Sequence, residues 1–79
     1  MEITLKELSK FSYIECRKRA NGHWKCTLEF EFNNDGLSIL VVGYGNGKNS
    51  QIAIEKAMED FNLELNSKFN EPAKKAFNK

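Results

Sequence analysis

The densest group of basic side chains in this 79-residue chain is the run at positions 17–19, which we call the basic patch. Guanidinium and ammonium groups at such close spacing bind phosphate oxygens through charge-assisted hydrogen bonds. A histidine at position 23 and lysines at positions 25 and 48 extend the same set. The candidates for nucleic-acid binding are therefore Arg17, Lys18, Arg19, His23, Lys25 and Lys48. The alternative is a solvated strand end on which long basic side chains cover apolar surface.

The sequence contains few side chains that could bind a metal ion or take part in catalysis. Cys16, Cys26 and His23 lack a fourth ligand and the close cysteine spacing of a zinc site. Ser38 and Ser50 have no base near them in the sequence, and a core this small leaves little room for a substrate cavity. We therefore predict a non-enzymatic protein with no metal, no cofactor and no small-molecule substrate.

Three alternating glycines, Gly43, Gly45 and Gly47, lead through Lys48 into a predicted helix. Successive backbone N–H groups in such a stretch are able to face an anion. The spacing and the lysine–hydroxyl pair of a nucleotide-binding P-loop are missing, however. A flexible turn is the favoured interpretation, and a loop that binds an anion is the alternative.

The composition is that of one small globular domain covering residues 1–79. The chain has 41% hydrophobic residues and a formal net charge of +1, values unlike those of a disordered or strongly basic protein. No apolar run approaches the roughly 18 residues of a membrane span, and the charged N-terminal segment is unlike a signal peptide. We therefore expect a cytoplasmic protein that does not enter a membrane.

Three strands are predicted within residues 12–44. Apolar residues alternate with polar ones along the middle strand, which buries one face and leaves the other in water. These apolar residues are Trp24, Cys26, Leu28, Phe30 and Phe32. Segments 20–22 and 33–36 are rich in turn residues, so that the strands, joined by short turns, form an antiparallel meander.

Helices are predicted on both sides of this meander. Residues 1–10 fit a short helix with Thr4 as its N-cap, and residues 49–66 fit a main helix capped by Asn49. Residues 67–79 form either a loose tail or a further short helix. The predicted fold class is α+β: a small α-β-β-β-α domain whose three-stranded antiparallel sheet carries the helices on one face.

A three-residue loop at positions 20–22 sets the register of the first hairpin. It places Cys16 opposite Cys26 and Ile14 opposite Leu28, with Ile14 and Cys16 on the buried face of the sheet. This pairing permits a disulfide bond. Two packed thiols are the favoured state, because a reducing compartment keeps cysteines in that form.

The third strand lies at the edge of the meander. If the second turn closes Phe32 against Leu37, the odd-numbered residues of this strand join the core and the even-numbered ones face water. The residues expected on the open side are Ser38, Leu40, Val42 and Tyr44. Aliphatic side chains exposed on an edge strand indicate strand addition by a protein partner or self-association as a dimer. Alternatively, one or two exposed aliphatic residues are ordinary on a protein surface.

Small residues recur at a fixed spacing where the third strand meets the main helix. They are part of the series Gly45, Gly47, Asn49, Ala53, Ala57, Met58 and Phe61. This series resembles the signature G-x-G-x-S-K-K-x-A-K-x-x-A-A-x-x-A-L of the double-stranded-RNA-binding domain family, and segment 21–23 is similar to that family's G-P-x-H loop. The resemblance covers roughly residues 11–66. It implies an α-β-β-β-α fold that binds double-stranded RNA, with His23 reaching the minor groove.

In that family, lysines at the start of the second helix bind phosphates across the RNA major groove. The matching positions here are Ser50, Gln51 and Ile54, and residues 49–66 carry one lysine against four acidic residues, a net charge of −3. We therefore predict a protein-interaction module that acts as a free-standing adaptor or inhibitor, as small phage and viral proteins do. The alternative is binding of double-stranded RNA through the basic patch and the Lys48 loop.

Overall fold

The computed structural model describes residues 4–67 and 70–78. Its elements are helix α1 (Leu5–Leu8), strands β1 (Tyr13–Lys18), β2 (Trp24–Asn34) and β3 (Leu37–Gly47), and helices α2 (Ser50–Ser67) and α3 (Asn70–Phe77). The strands form one antiparallel sheet in the order β1-β2-β3. Helix α2 packs on β3 and β2, and α3 packs on α2 and β2. The predicted α+β class, a three-stranded antiparallel sheet with helices packed on one face, is confirmed.

The first hairpin has the predicted register. The Arg19 N–H donates to the His23 carbonyl at 2.7 Å, and the Gly22 N–H donates to the Arg19 carbonyl at 2.9 Å. Gly22 has a φ of 86°, a left-handed conformation that glycine adopts without steric cost. Cys16 is therefore opposite Cys26, as the three-residue loop requires.

The second hairpin turns on two residues instead of the whole predicted segment 33–36. Asp35 and Gly36 both have positive φ, at 53° and 81°, which matches the twist of the flanking strands. Phe32 is therefore opposite Ile39, and its predicted pairing with Leu37 is wrong by two residues. A shift of two residues keeps every side chain on its predicted face. Leu37 nevertheless stays 68% exposed, because it lies beside the turn at the end of the sheet.

The two predicted N-caps are confirmed. The Thr4 Oγ1 accepts the Glu7 N–H at 3.2 Å, and the Asn49 Oδ1 accepts the Ile52 N–H at 2.8 Å. Helix α1 is only a single turn within the predicted segment 1–10, of which residues 1–3 lie outside the described residues. Helix α2 agrees with the predicted main helix to within one residue at each end.

Helix α3 replaces the loose tail that was one of the two interpretations of residues 67–79. Its Phe77 ring lies 4.9 Å from the Phe61 ring, 5.1 Å from the Phe30 ring and 5.4 Å from the Phe11 ring, measured between centroids. Such aromatic pairs add about 0.5–1.5 kcal/mol each beyond the burial of their area. These aromatic contacts hold the short helix against the core.

The glycine stretch is part of β3 and lies directly beneath α2, so the flexible-turn interpretation is wrong. A Cβ added at Gly45 would collide with the backbone of Ala53 and Ala57, and one at Gly43 would lie 2.6 Å from the Cβ of Phe61. Only glycine lets the helix backbone approach the strand this closely. The stretch therefore sets the helix–sheet distance. Lys48 and Asn49 connect it to α2, and the anion-binding alternative is confined to this short connection.

The inner face of β1 is less covered than predicted. Ile14 and Cys16 share the face of the buried residues of β2, but Ile14 is 38% exposed and Cys16 is exposed as well. Helix α2 lies over β2 and β3, which leaves β1 largely uncovered. Cys16 and Cys26 form a disulfide bond, so the expected pair of thiols is wrong for this structure. Their directly opposite positions bring the two sulfur atoms within bonding reach.

Candidate functional site

Strand β3 presents a long edge of the sheet, because within residues 4–67 and 70–78 only β2 pairs with it. Its eleven residues, Leu37–Gly47, contain no charged residue and no proline. Charged side chains and prolines are the usual means by which proteins prevent the edge of a sheet from pairing with another chain. The β3 edge lacks both of these protections.

The four residues predicted on the open side of β3 all lie on the face away from the helices. Leu40 and Tyr44 are 48% and 52% exposed, Val42 is half-buried, and Ser38 is exposed. The Ser38 hydroxyl donates to the Glu31 carboxylate at 2.9 Å, which orients it toward β2. Leu40 and Val42 thus give the edge an apolar side-chain surface.

One backbone group of this edge is already bonded. The Tyr44 N–H donates to the Asp60 Oδ2 of α2 at 2.8 Å, so this carboxylate reaches from the helix over the strand edge. We call this contact the Asp60 cap. In an antiparallel strand every second residue directs its N–H and C=O to the same side, so Leu40 and Val42 direct theirs outward as Tyr44 does. We call residues 38–42 the free edge, because the cap covers the strand beyond them.

The sequence gives no direct signal for the Asp60 cap. Asp60 lies 16 residues after Tyr44, and in the sequence it is one of several acidic residues on the main helix. Only the close packing of α2 on β3 brings its carboxylate to the strand edge. Asp60 is therefore a candidate site residue that sequence reasoning missed.

The six candidates for nucleic-acid binding are divided among three places. Arg17, Arg19 and Lys25 line a shallow pocket of about 150 Å³ together with Glu15 and Thr27. Arg17 donates to the Glu15 carboxylate at 3.2 Å, so part of the positive charge of the pocket is neutralised internally.

The same carboxylate also accepts the Tyr13 hydroxyl at 2.9 Å, and this hydrogen bond raises the pKa of the Tyr13 phenol. At the other side of the pocket, the Lys25 ammonium lies 5.2 Å from the centroid of the Tyr44 ring. The basic side chains are therefore held by groups of the same sheet face.

Lys18 lies on the opposite face of β1 from Arg17, in register with Trp24. The remaining candidates, His23 and Lys48, line a separate groove of about 430 Å³ with Asn46, Gly47, Ile52 and Lys56. Lys56 was not among the predicted site residues. The groove brings two lysines and a histidine together, but the basic patch does not contribute to it.

The described residues offer neither a metal-binding cluster nor a membrane-spanning helix. Within residues 4–67 and 70–78, no group of three or more histidine, cysteine, aspartate or glutamate side chains is placed to hold a metal ion. None of the helices in this part of the chain has the length and apolarity needed to cross a membrane. Neither finding identifies a ligand or a partner.

Comparison of the chain with known protein families, with curated proteins and with solved structures finds no match. The likeness to the double-stranded-RNA-binding domain therefore stays a resemblance in element order and in the spacing of a few residues. The function has to be inferred from the surfaces of the molecule, among them the edge of the eleven-residue strand β3.

Proposed function

We propose that this protein is a non-enzymatic interaction module that binds an extended polypeptide strand along the free edge of β3. The observation that carries the proposal is the absence of any charge or proline from an eleven-residue edge strand that also exposes Leu40. Backbone hydrogen bonds supply affinity in strand addition, and side chains at alternate positions supply specificity. In this mode the module would serve as an adaptor or an inhibitor.

The free edge is short, so we expect a modest affinity. Each backbone hydrogen bond contributes about 1 kcal/mol net, and burial of apolar area contributes about 25 cal/mol per Å². Association entropy and the ordering of side chains oppose these gains. A dissociation constant of about 1 μM is therefore expected for a partner that uses this surface alone.

The test uses a double variant, Leu40→Lys with Val42→Lys. Both side chains are at the edge, so the charges would oppose any added strand without disturbing the core. The matched control, Tyr13→Lys with Thr27→Lys, adds the same charge to the same sheet face, on β1 and β2 and outside the free edge. We expect the first variant to lose capture of partners from a lysate of the native cell, while the control keeps it.

Circular dichroism of both variants verifies that each is folded. Equal capture by the two folded variants would contradict the proposal, because it would show that binding does not use the β3 edge. Loss of capture by the control alone would move the binding surface to the β1 side of the sheet.

A second candidate function is nucleic-acid binding, including double-stranded RNA, at the groove that His23, Lys48 and Lys56 line. Two lysines at one groove are suited to phosphate contacts, and such binding would weaken steeply as salt rises. Lys48→Glu with Lys56→Glu should abolish binding of a random duplex under this candidate. Reversal of the three basic-patch charges to glutamate is the comparison. Binding that neither variant changes would remove both surfaces from consideration.

A cytoplasmic location belongs to the same proposal. Reducing conditions there would keep Cys16 and Cys26 as thiols, whereas an oxidising compartment would keep the disulfide that the structure contains. Rapid alkylation of cells followed by mass measurement of the protein distinguishes the two. Two alkylated cysteines are expected for a cytoplasmic protein, and none would contradict that location.

A further inference from the structure

We propose that the disulfide between Cys16 and Cys26 is a reversible redox switch, which a dithiol reductant opens by attack on Cys16 and which controls the pairing of β1 with β2. The proposal goes beyond strand addition at β3 and does not depend on it, because neither cysteine lies on that strand. It rests on the different surroundings of the two sulfur atoms and on the sparse packing of β1.

The two sulfur atoms differ in their access to solvent. Cys26 is completely buried, whereas Cys16 is exposed. A thiolate attacks a disulfide along the line of the S–S bond, on the side opposite the leaving sulfur atom. In the sheet described for residues 4–67 and 70–78, β1 is an edge strand paired with β2, so the side of Cys16 that faces away from Cys26 is open. Attack is therefore directed to Cys16.

The charges around Cys16 favour the approach of a thiolate anion. One acidic residue, Glu15, precedes it, and three basic residues follow it at positions 17–19. Arg17 is partly neutralised by its ion pair with Glu15. Lys18 is two residues from Cys16 and therefore lies on the same face of β1. The net positive charge beside the exposed sulfur atom attracts an anionic nucleophile.

The structure provides a partner for the sulfur atom that leaves. The Cys26 Sγ lies 3.8 Å from the carbonyl oxygen of Ser50, the first residue of α2. A disulfide sulfur has no proton to donate, so this contact becomes an S–H···O hydrogen bond only after reduction. A buried thiol also packs as a small apolar group. The reduced state thus gains an interaction that the oxidised state lacks, and the bond is able to open without unfolding of the core.

Both steps of the exchange conserve atoms and electrons. A thiolate of the dithiol forms a bond with the Cys16 Sγ while the bond to Cys26 breaks, and Cys26 leaves as a thiolate that takes a proton from water. The second sulfur of the reductant, as a thiolate, then displaces Cys16, which is protonated in turn. Two electrons and two protons pass to the protein, and the reductant becomes a disulfide. The disulfide form of the same reagent reverses the sequence.

Opening of the bond weakens the attachment of β1. Helix α2 packs mainly on β3 and β2, and Ile14 on the inner face of β1 is 38% exposed, so little apolar burial holds this strand. The backbone ladder with β2 is then its main attachment, and segments with few buried contacts open locally at low cost in free energy. The shallow basic pocket takes Arg17 from β1 and Lys25 from β2. The redox state therefore also controls whether these cations are held together.

The first measurement locates the attack. The folded, oxidised protein is mixed with glutathione, a monothiol that traps the first step, and free thiols are then alkylated. Mass spectrometry of the peptides identifies the group on each cysteine. We expect glutathione on Cys16 and the alkyl group on Cys26. Glutathione on Cys26 would overturn the proposal, as would a bond that opens only in denaturant.

The second measurement is amide hydrogen exchange before and after treatment with dithiothreitol. We expect the β1 amides to exchange about tenfold faster or more in the reduced protein, while the β3 amides keep their rates. The control is Cys16→Ser, which cannot form the bond and keeps Cys26. Its β1 amides should exchange at the reduced rate with or without reductant.

Two outcomes of the exchange experiment would overturn the switch. Unchanged rates in β1 would show that the bond does not control its pairing with β2. An increase of equal size in β3 would show that the whole domain opens on reduction. Neither outcome decides the proposed function, because capture by the double-lysine variant and by its matched control tests strand addition separately.

Discussion

The two edges of the sheet are built in opposite ways. β1 has six residues, three of them charged, and a disulfide ties it to β2. β3 has eleven residues without a charge, and α2 holds it through closely packed glycines and the Asp60 cap. β1 is thus protected by its own charges, whereas β3 depends on a helix that covers only part of it. The difference shows which edge is available to another chain.

The largest loss of stability is expected when β3 is separated from α2. Gly45→Val adds a side chain where even a Cβ would collide with the α2 backbone. We expect a loss of about 3–5 kcal/mol in the free energy of unfolding, measured by urea denaturation. The control is Gly22→Ala, where positive φ costs about 1 kcal/mol but no neighbour lies within 4 Å. Equal midpoints for the two variants would contradict the close packing described for β3.

A second experiment compares the centre of the sheet with its β1 edge. Leu28 is fully buried and Ile14, directly opposite it on β1, is partly exposed. Leu28→Ala should cost about 2–5 kcal/mol, because it leaves a cavity in the core. Ile14→Ala should cost about 1 kcal/mol or less, since water already reaches that side chain. A similar loss for both variants in thermal denaturation would mean that β1 is covered as well as β2.

The third experiment measures the contribution of the disulfide to stability, because this bond attaches β1 to the sheet where no helix covers it. Cys16 and Cys26 are ten residues apart, and closing a loop of that length contributes about 2–3 kcal/mol in the chain-entropy model. A reductant should lower the stability of the parent by that amount. The variant Cys16→Ser with Cys26→Ser should be unaffected by reductant. An equal response of both proteins would assign the effect to something other than this bond.

The smallest effect is expected when the Asp60 cap is removed from the β3 edge. Asp60→Ala removes the cap and frees the Tyr44 N–H, at a cost in stability of about 0.5–1.5 kcal/mol. The longer free edge should strengthen capture of partners from a lysate severalfold. Glu59→Ala removes a neighbouring exposed carboxylate and is the control. If both variants capture partners as the parent does, the cap does not limit the edge.

Local patterns predicted much of the fold. The period-two alternation around Leu28 defined β2, side-chain chemistry identified Thr4 and Asn49 as caps, and the first loop fixed the hairpin register. Alternation also implies that Lys18 lies on the opposite face from Arg17, so the division of the basic patch was accessible from the sequence. The prediction treated residues 17–19 as one surface, although successive side chains of a strand point to opposite faces of the sheet.

Other features depend on contacts between distant segments. Alternating glycines resemble a loop in composition, and only the position of α2 shows that Gly45 is in a strand. Asp60 acquires its role because α2 packs beside Tyr44, which local periodicity does not specify. The bond between Cys16 and Cys26 depends on the redox environment as well as on register.

The close packing of β3 beneath α2 also affects the entropy of binding. A strand that must become ordered when its partner arrives loses conformational freedom, and this loss opposes association. Gly43 and Gly45 place the strand directly against the backbone of α2, so β3 is already ordered before any partner is present. When the strand is already ordered, less conformational entropy is lost on binding. More of the free energy of the backbone hydrogen bonds then contributes to affinity. In the proposed strand addition, Gly43 and Gly45 would therefore contribute to affinity by keeping the strand rigid, although they offer no side chain to the partner.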